Sequence, residues 1–89
     1  MSTPETRLKE QVLRWLKTQK VWVYKTSDRY RSGIPDLLIV KYGHLFAIEL
    51  KAKDGVVSKI QEHTLKELSE YGAITGVCRT LQEVKCILS

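Results

Sequence analysis

Residues that would stiffen, anchor or cross-link a small chain are scarce in this sequence. It has two cysteines, two prolines, one methionine and one phenylalanine in 89 residues. Cys78 and Cys86 have no other metal-ligand type near them at finger spacing, which argues against a structural zinc site. Two cysteines are also too few for a disulfide scaffold, so both read as buried core thiols of a reduced, cytosolic protein. No apolar run approaches the ~18 residues that a membrane span requires, and none has the form of a signal-peptide core. The opening Met-Ser-Thr-Pro-Glu reads as a helix start rather than a targeting segment. Internal repeats, low-complexity tracts and linkers are missing, as are Walker, Rossmann, nucleophile-elbow and zinc-finger signatures. The expectation is a single domain over residues 1–89, cytoplasmic, with no membrane partner.

What is present is enough apolar material for one modest core, at 43% of residues, which argues against disorder. The formal charge is +5, and the whole excess lies in residues 1–33, which hold eight Lys or Arg against three acids. The remaining 56 residues balance at seven against seven. A basic half on a small domain points toward an anionic partner, nucleic acid first. A solvated face explains the same charges more simply if nothing else joins them.

Apolar spacing predicts a helix from Pro4 to about Gln19, with Leu8, Val12, Trp15 and Leu16 on one stripe and Ser2 or Thr3 as its cap. Val21 to Lys25 is β-branched and aromatic and reads as a short strand. Residues 26–33, TSDRYRSG, are polar, basic and turn-like. Pro35 then opens a second strand, and Leu45 to Lys51 forms a third. Tyr42 and Gly43, with His44, make the tight turn between them. Asp54-Gly55 is another turn. Ser58 begins a helix to about Tyr71 with Leu65, Leu68 and Gly72 along its inner face, and Gly72 ends it. A fourth strand, Ala73 to Cys78, and a final helix, Leu81 to Leu88, complete an α-β-β-β-α-β-α order. That order implies an α/β sandwich around a small mixed sheet.

The segment that carries chemistry is Gly33-Ile34-Pro35-Asp36, followed thirteen residues later by Glu49-Leu50-Lys51. Strand alternation sends Glu49 and Lys51 to one side and Phe46, Ile48 and Leu50 into an apolar layer. A hairpin could bring Asp36 beside Glu49, so two carboxylates and an ammonium would converge at one rim of the sheet. Carboxylates ~4 Å apart repel by about 4 kcal/mol near a protein surface, and a divalent cation removes that cost. Carboxylate and water ligands suit Mg²⁺ or Mn²⁺. Such an ion polarises a phosphate oxygen and activates water, while Lys51 would hold that water or stabilise the transition state, a division of labour suited to phosphodiester hydrolysis. The plain alternative is a turn Asp and a solvent-facing Glu-Lys pair.

Glu5 continues the stripe of the first helix and Gln61 shares a face with Leu65 and Leu68, so each could reach the same rim. Each also fits a capping box, Ser2 with Glu5 and Ser58 with Gln61, and the spacing leaves cap and site open for both. Glu10 lies off the stripe and reads as solvated. Lys25, Arg29, Tyr30, Arg31 and Ser32 before the proposed site, and Lys53 and Lys59 after it, are candidates for DNA contact. Their cations would meet phosphates, and Tyr30 would stack on a base or ribose. His44 and His63 have no partner at ligand spacing. Trp15, Trp22, Tyr24 and Phe46 read as core rather than as base-stacking platforms.

The run GIPDLLIV, then FAIELK, then Gly55, Ser58 and Gln61 at the next helix start, resembles the VRR-Nuc branch of the PD-(D/E)XK nucleases. The resemblance runs from Glu5 to roughly Val77. It implies a restriction-endonuclease-like α-β-β-β-α-β core with a small mixed sheet flanked by helices, dependence on Mg²⁺ or Mn²⁺, and cleavage of nucleic acid. By that resemblance Asp36 and Glu49 take metal-ligand positions, joined by the backbone carbonyl of Leu50 and by Glu5. Lys51 takes the catalytic lysine position, and Gln61 the glutamine on the following helix. The chain is close to the bare core. Minimal members of this kind are similar to phage and bacterial proteins that act as homodimers on branched DNA, four-way (Holliday) junctions included. The expected function is therefore a metal-dependent, structure-selective DNA endonuclease. The alternatives are a flap, nick or single-strand nuclease, a subunit of a larger complex, and a basic nucleic-acid-binding module whose carboxylates are structural.

Overall fold

A stripe at Leu8, Val12 and Leu16 makes the first helix amphipathic, and in a computed structural model of the chain these three residues are its buried ones. The structure describes residues 3–26 and 31–89. The elements run α1 (Pro4–Leu16), β1 (Trp22–Lys25), β2 (Leu37–Lys41), β3 (His44–Leu50), α2 (Lys59–Glu70), β4 (Ile74–Cys78) and α3 (Leu81–Leu88). The order is the one the sequence predicts. Helix α1 stops three residues short of Gln19, where Thr18 and Gln19 close a turn onto the carbonyls of Trp15 and Leu16. Its cap is Thr3, whose Oγ1 accepts the N–H of Thr6, and Ser2, the other expected cap and the partner of Glu5 in the expected capping box, lies outside the described residues.

The four strands lie in the order β1-β2-β3-β4, the first two pairings antiparallel and β3-β4 parallel. Tyr42 and Gly43 alone make the β2-β3 turn, both with positive φ (48° and 80°), and His44 already pairs with Lys41. Two successive left-handed residues match the right-handed twist of the flanking strands, which is why Gly follows Tyr there.

Alternation splits the sheet into two faces. Leu37, Ile39, Phe46, Ile48, Leu50 and Cys78 join Leu8, Val12 and Leu16 of α1 and Val84 and Leu88 of α3 in one buried cluster. Each such aliphatic side chain contributes about 1.5–3 kcal/mol when fully buried. Helix α2 covers the other face over β3 and β4, burying Thr64 and Leu65, with Leu68 half-buried and Gly72 exposed beyond its end. It does not extend over β1, and this corrects two sequence expectations. Trp22 and Tyr24 are not core residues but stand 59% and 47% exposed, stacked on each other at 6.2 Å. Cys86 likewise is exposed rather than buried, while Cys78 is fully enclosed. Burial, with the Glu83 charge behind it, pushes the Cys78 thiol up to about 11, so it is an inert core group. Among the described residues no helix is long and apolar enough to cross a membrane.

Candidate active site

The pairing of Leu37 with Ile48 sets Asp36, one residue ahead of β2, opposite Glu49. Residues opposite each other in an antiparallel pair project to the same face, so both carboxyl groups come to the same rim. The backbone ladder ends here, and the two side chains complete it crosswise. Asp36 N–H donates to Glu49 Oε1 (3.2 Å), and Leu50 N–H donates to Asp36 Oδ2 (2.9 Å). Thr26 secures the same segment from β1, donating through its N–H to Asp36 O (3.0 Å) and through Oγ1 to Pro35 O (2.6 Å).

Glu49 is almost completely buried at 3% exposure. Its Oε2 accepts Gln61 Nε2 at 2.8 Å and lies 3.4 Å from Lys51 Nζ. Burial first, and then the Asp36 charge, pushes the Glu49 carboxyl up from 4.5 to about 7. Lys51 and the Asp36 N–H act in the opposite direction without cancelling that rise. Two crowded carboxyl groups that resist joint ionisation are a site that a cation would relieve.

The structure thus brings Asp36, Glu49, Lys51 and Gln61 together. Gln61 is both of the things its spacing allowed. Its Oε1 accepts the Ser58 N–H (2.9 Å) and its own N–H donates to Ser58 Oγ (3.2 Å), which is a capping box, while its amide nitrogen serves Glu49. Glu5 sits nearby but apart. It pairs with Lys9 at 3.6 Å, and Lys9 in turn reaches Asp36 Oδ1 at 3.2 Å. Among the described residues no three His, Cys, Asp or Glu gather closely enough to hold a metal by themselves. The Leu50 carbonyl leaves its strand on the same edge as its N–H, toward Asp36, because an extended residue presents both groups to one neighbour. Asp36, Glu49 and that carbonyl are hard oxygen donors, a set that fits Mg²⁺ or Mn²⁺.

Sequence reasoning missed Lys9 and Arg79. Lys9 follows Glu5 by four and precedes Val12 by three, on the flank of the α1 stripe, and that spacing was the available signal. Asp36 and Glu5 together hold its ammonium above the ordinary lysine range, against burial acting the other way as the largest single influence. Arg79 carried no signal. Its guanidinium donates to the carbonyls of Ala52 (2.7 Å), Gly55 (2.7 Å) and Lys53 (3.3 Å), clamping the turn that follows Lys51.

Of the proposed DNA-contact residues, Lys25, Ser32, Lys53 and Lys59 are exposed. Arg31 is bound to Glu67 at 2.6 Å, and Arg29 and Tyr30 lie outside the described residues. Gly33, with φ +82°, lets this loop press on α2, for a Cβ there would meet the Ile60 carbonyl oxygen at 2.9 Å. A hollow of about 740 Å³ between α1 and the start of α3 is lined by neither Asp36 nor Glu49. At the carboxylate rim the Asp36 side chain is 22% exposed and Lys51 15%.

No family model matches the sequence, and no curated protein is similar to it. Solved structures are. One described as a VRR_NUC domain superposes with a TM-score of 0.82 at 24% identity, covering 98% of this chain and 96% of its own. A second, described as a VRR_NUC domain protein, gives 0.81 at 18% identity over 99% of this chain and 87% of its own. The fold is that of a VRR_NUC domain. The likeness spans nearly every residue, so α1, the β2-β3 hairpin and α2, which carry Lys9, Asp36, Glu49, Lys51 and Gln61, all lie within the shared VRR_NUC fold.

Proposed function

We propose that this chain is a Mg²⁺- or Mn²⁺-dependent nuclease that hydrolyses phosphodiester bonds in DNA. The observation that carries the reading is the crossed pair Asp36–Glu49 with Lys51 3.4 Å from Glu49. A buried carboxyl raised to about 7 beside a second carboxylate is unfavourable as a purely structural device. The VRR_NUC likeness agrees with the nuclease expectation drawn from the sequence.

Asp36, Glu49 and the Leu50 carbonyl would hold the cation, which when bound supplies Lewis acidity to a phosphate oxygen and to water. Gln61 keeps Glu49 aimed at that position. Lys51 projects on the same side as Glu49, where its ammonium orients the attacking water and stabilises charge building on the phosphate. Lys25, Ser32, Lys53 and Lys59 surround the rim as phosphate contacts, and Arg31 joins them on leaving Glu67.

The finer reading is a structure-selective endonuclease acting on branched DNA as a homodimer, since paired cuts need two sites in symmetric positions. What supports the dimer is the uncovered face of β1 to β3. By the strand register it presents Trp22, Tyr24, Leu38, Val40 and Leu45 with no charged side chain among them. A single-strand platform would interleave cations with its aromatics. A second copy would bury this face as the apolar centre of an interface that needs roughly 800 Å² per partner. The patch begins at Leu38 and Tyr24, two residues along the strands from Asp36 on the same face, and runs away from the site to Trp22, Val40 and Leu45.

The test is cleavage of labelled four-way junction, flap, nicked, single-stranded and linear duplex DNA with Mg²⁺, Mn²⁺ or EDTA. Symmetric, metal-dependent cuts confined to the junction support the full reading. Cutting of flaps or single strands instead keeps the nuclease and replaces the substrate. Binding unaffected by EDTA, with no cleavage of any substrate, leaves a nucleic-acid-binding module.

A further inference from the structure

Of the four carboxylate oxygens of Asp36 and Glu49, three are engaged by the framework around the site. Glu49 Oε1 and Asp36 Oδ2 take backbone N–H groups, and Glu49 Oε2 takes the amide of Gln61 and the Lys51 ammonium. The fourth, Asp36 Oδ1, is met among the described residues by Lys9, whose Nζ is 3.2 Å from it and 3.6 Å from Glu5 Oε2. Lysine carries its charge on a flexible four-carbon stem and is strongly hydrated, so it leaves a carboxylate far more readily than a backbone donor does. Its side chain keeps 28% exposure, which gives it a path outward. Lys9 thus bridges Asp36 and Glu5.

We propose that Lys9 is the resident counter-ion of this site, occupying the cation position beside Asp36 in the metal-free protein and yielding it to a divalent ion. Once displaced, the ammonium remains at the rim and turns to a phosphate of the bound DNA. The inference rests on the metal-dependent reading above and assigns Lys9 a role within it: it competes with the metal before binding and contacts the nucleic acid afterwards. No covalent step is involved.

Two measurements separate this from a lysine that merely neutralises the surface. Mn²⁺ affinity of the DNA-free protein is read from the spectrum of unbound Mn²⁺ for wild type, Lys9→Ala, Lys9→Gln and a charge control, Lys17→Ala, at the exposed end of α1. Losing a partly exposed ion pair should tighten Mn²⁺ binding about fivefold in both Lys9 variants. Lys17→Ala should leave it unchanged. Lys9→Gln keeps the stem, so a fold defect confined to Lys9→Ala does not obscure the result. DNA affinity is then measured against salt, with EDTA or with Ca²⁺ as a binding ion. In Ca²⁺ the salt slope of Lys9→Gln should be smaller than wild type by about one phosphate contact, and in EDTA the two should agree.

Unchanged or weaker Mn²⁺ binding in the Lys9 variants, or the same gain in Lys17→Ala, overturns the counter-ion role while leaving the metal site standing. Equal salt slopes in Ca²⁺ overturn the phosphate contact. No Mn²⁺ binding by wild type or any variant overturns the metal site itself, and the Lys9 role with it.

Discussion

Gln61 reaches Glu49 with one end of its amide and Ser58 with the other. Its Nε2 lies 2.8 Å from Glu49 Oε2, and its Oε1 accepts the Ser58 N–H at 2.9 Å. The start of α2 and the most buried carboxyl group of the site are therefore fixed by one side chain. Stability and site geometry are coupled there, and two substitutions separate them. Ser58→Ala removes a cap bond alone and should cost about 1 kcal/mol with cleavage nearly unchanged. Gln61→Ala also leaves a buried carboxylate oxygen short of a donor and should cost about 2–3 kcal/mol, with a clear loss of rate. Urea unfolding and cleavage rates on both variants check this. Equal rates in the two would reduce Gln61 to a cap.

The raised Glu49 carboxyl makes stability depend on pH in a definite direction. The folded protein holds a proton up to about 7 that the unfolded chain releases at 4.5. Folding therefore binds a proton between those values, and stability from this group falls as pH rises through the window, with the full penalty present above 7. In EDTA the melting temperature should decline across that range, and Glu49→Gln should flatten the decline. Mn²⁺ should restore stability most above pH 7, where no proton competes for the carboxylate.

Arg79 ties β4 to the turn after Lys51. Arg79→Ala should lower stability by about 2 kcal/mol, since three carbonyls lose a charged donor in a partly exposed setting. It should also lower kcat more than it raises KM, because Lys51 is left on a looser turn. A variant with reduced stability and full kcat would limit Arg79 to holding the fold.

The uncovered face of β1 to β3 should govern association. Trp22→Lys introduces a charge into an apolar patch and should shift the protein from dimer to monomer in sedimentation equilibrium, with little effect on the melting of the monomer. A wild type that is monomeric at all accessible concentrations would remove this face as the interface.

The hairpin was the most legible part of the molecule. Tyr42-Gly43 fixes the turn, the turn fixes the register, and the register sets Asp36 against Glu49 with Phe46, Ile48 and Leu50 turned into the core. Gln61 was legible as a position and ambiguous as a role, because a capping glutamine and a site glutamine have the same spacing. Trp22 and Tyr24 were misread as core, for aromatic residues on a short strand look the same whether or not a helix covers them. Which strands α2 covers is a tertiary outcome that no local pattern carries. Arg79 was invisible for a similar reason, and Lys9 showed only its spacing from Glu5 and Val12. Their partners lie 27 residues away in sequence for Asp36 and Ala52 alike, and a long side chain encodes no direction.

The most direct test of the account is cleavage of labelled DNA by wild type, Asp36→Asn and Lys51→Ala, each with Mg²⁺, Mn²⁺ or EDTA. Wild type should cut with metal only. Both variants should fail to cut while keeping their fold and most of their affinity for DNA. Cleavage that persists in EDTA, or in either variant, would contradict it.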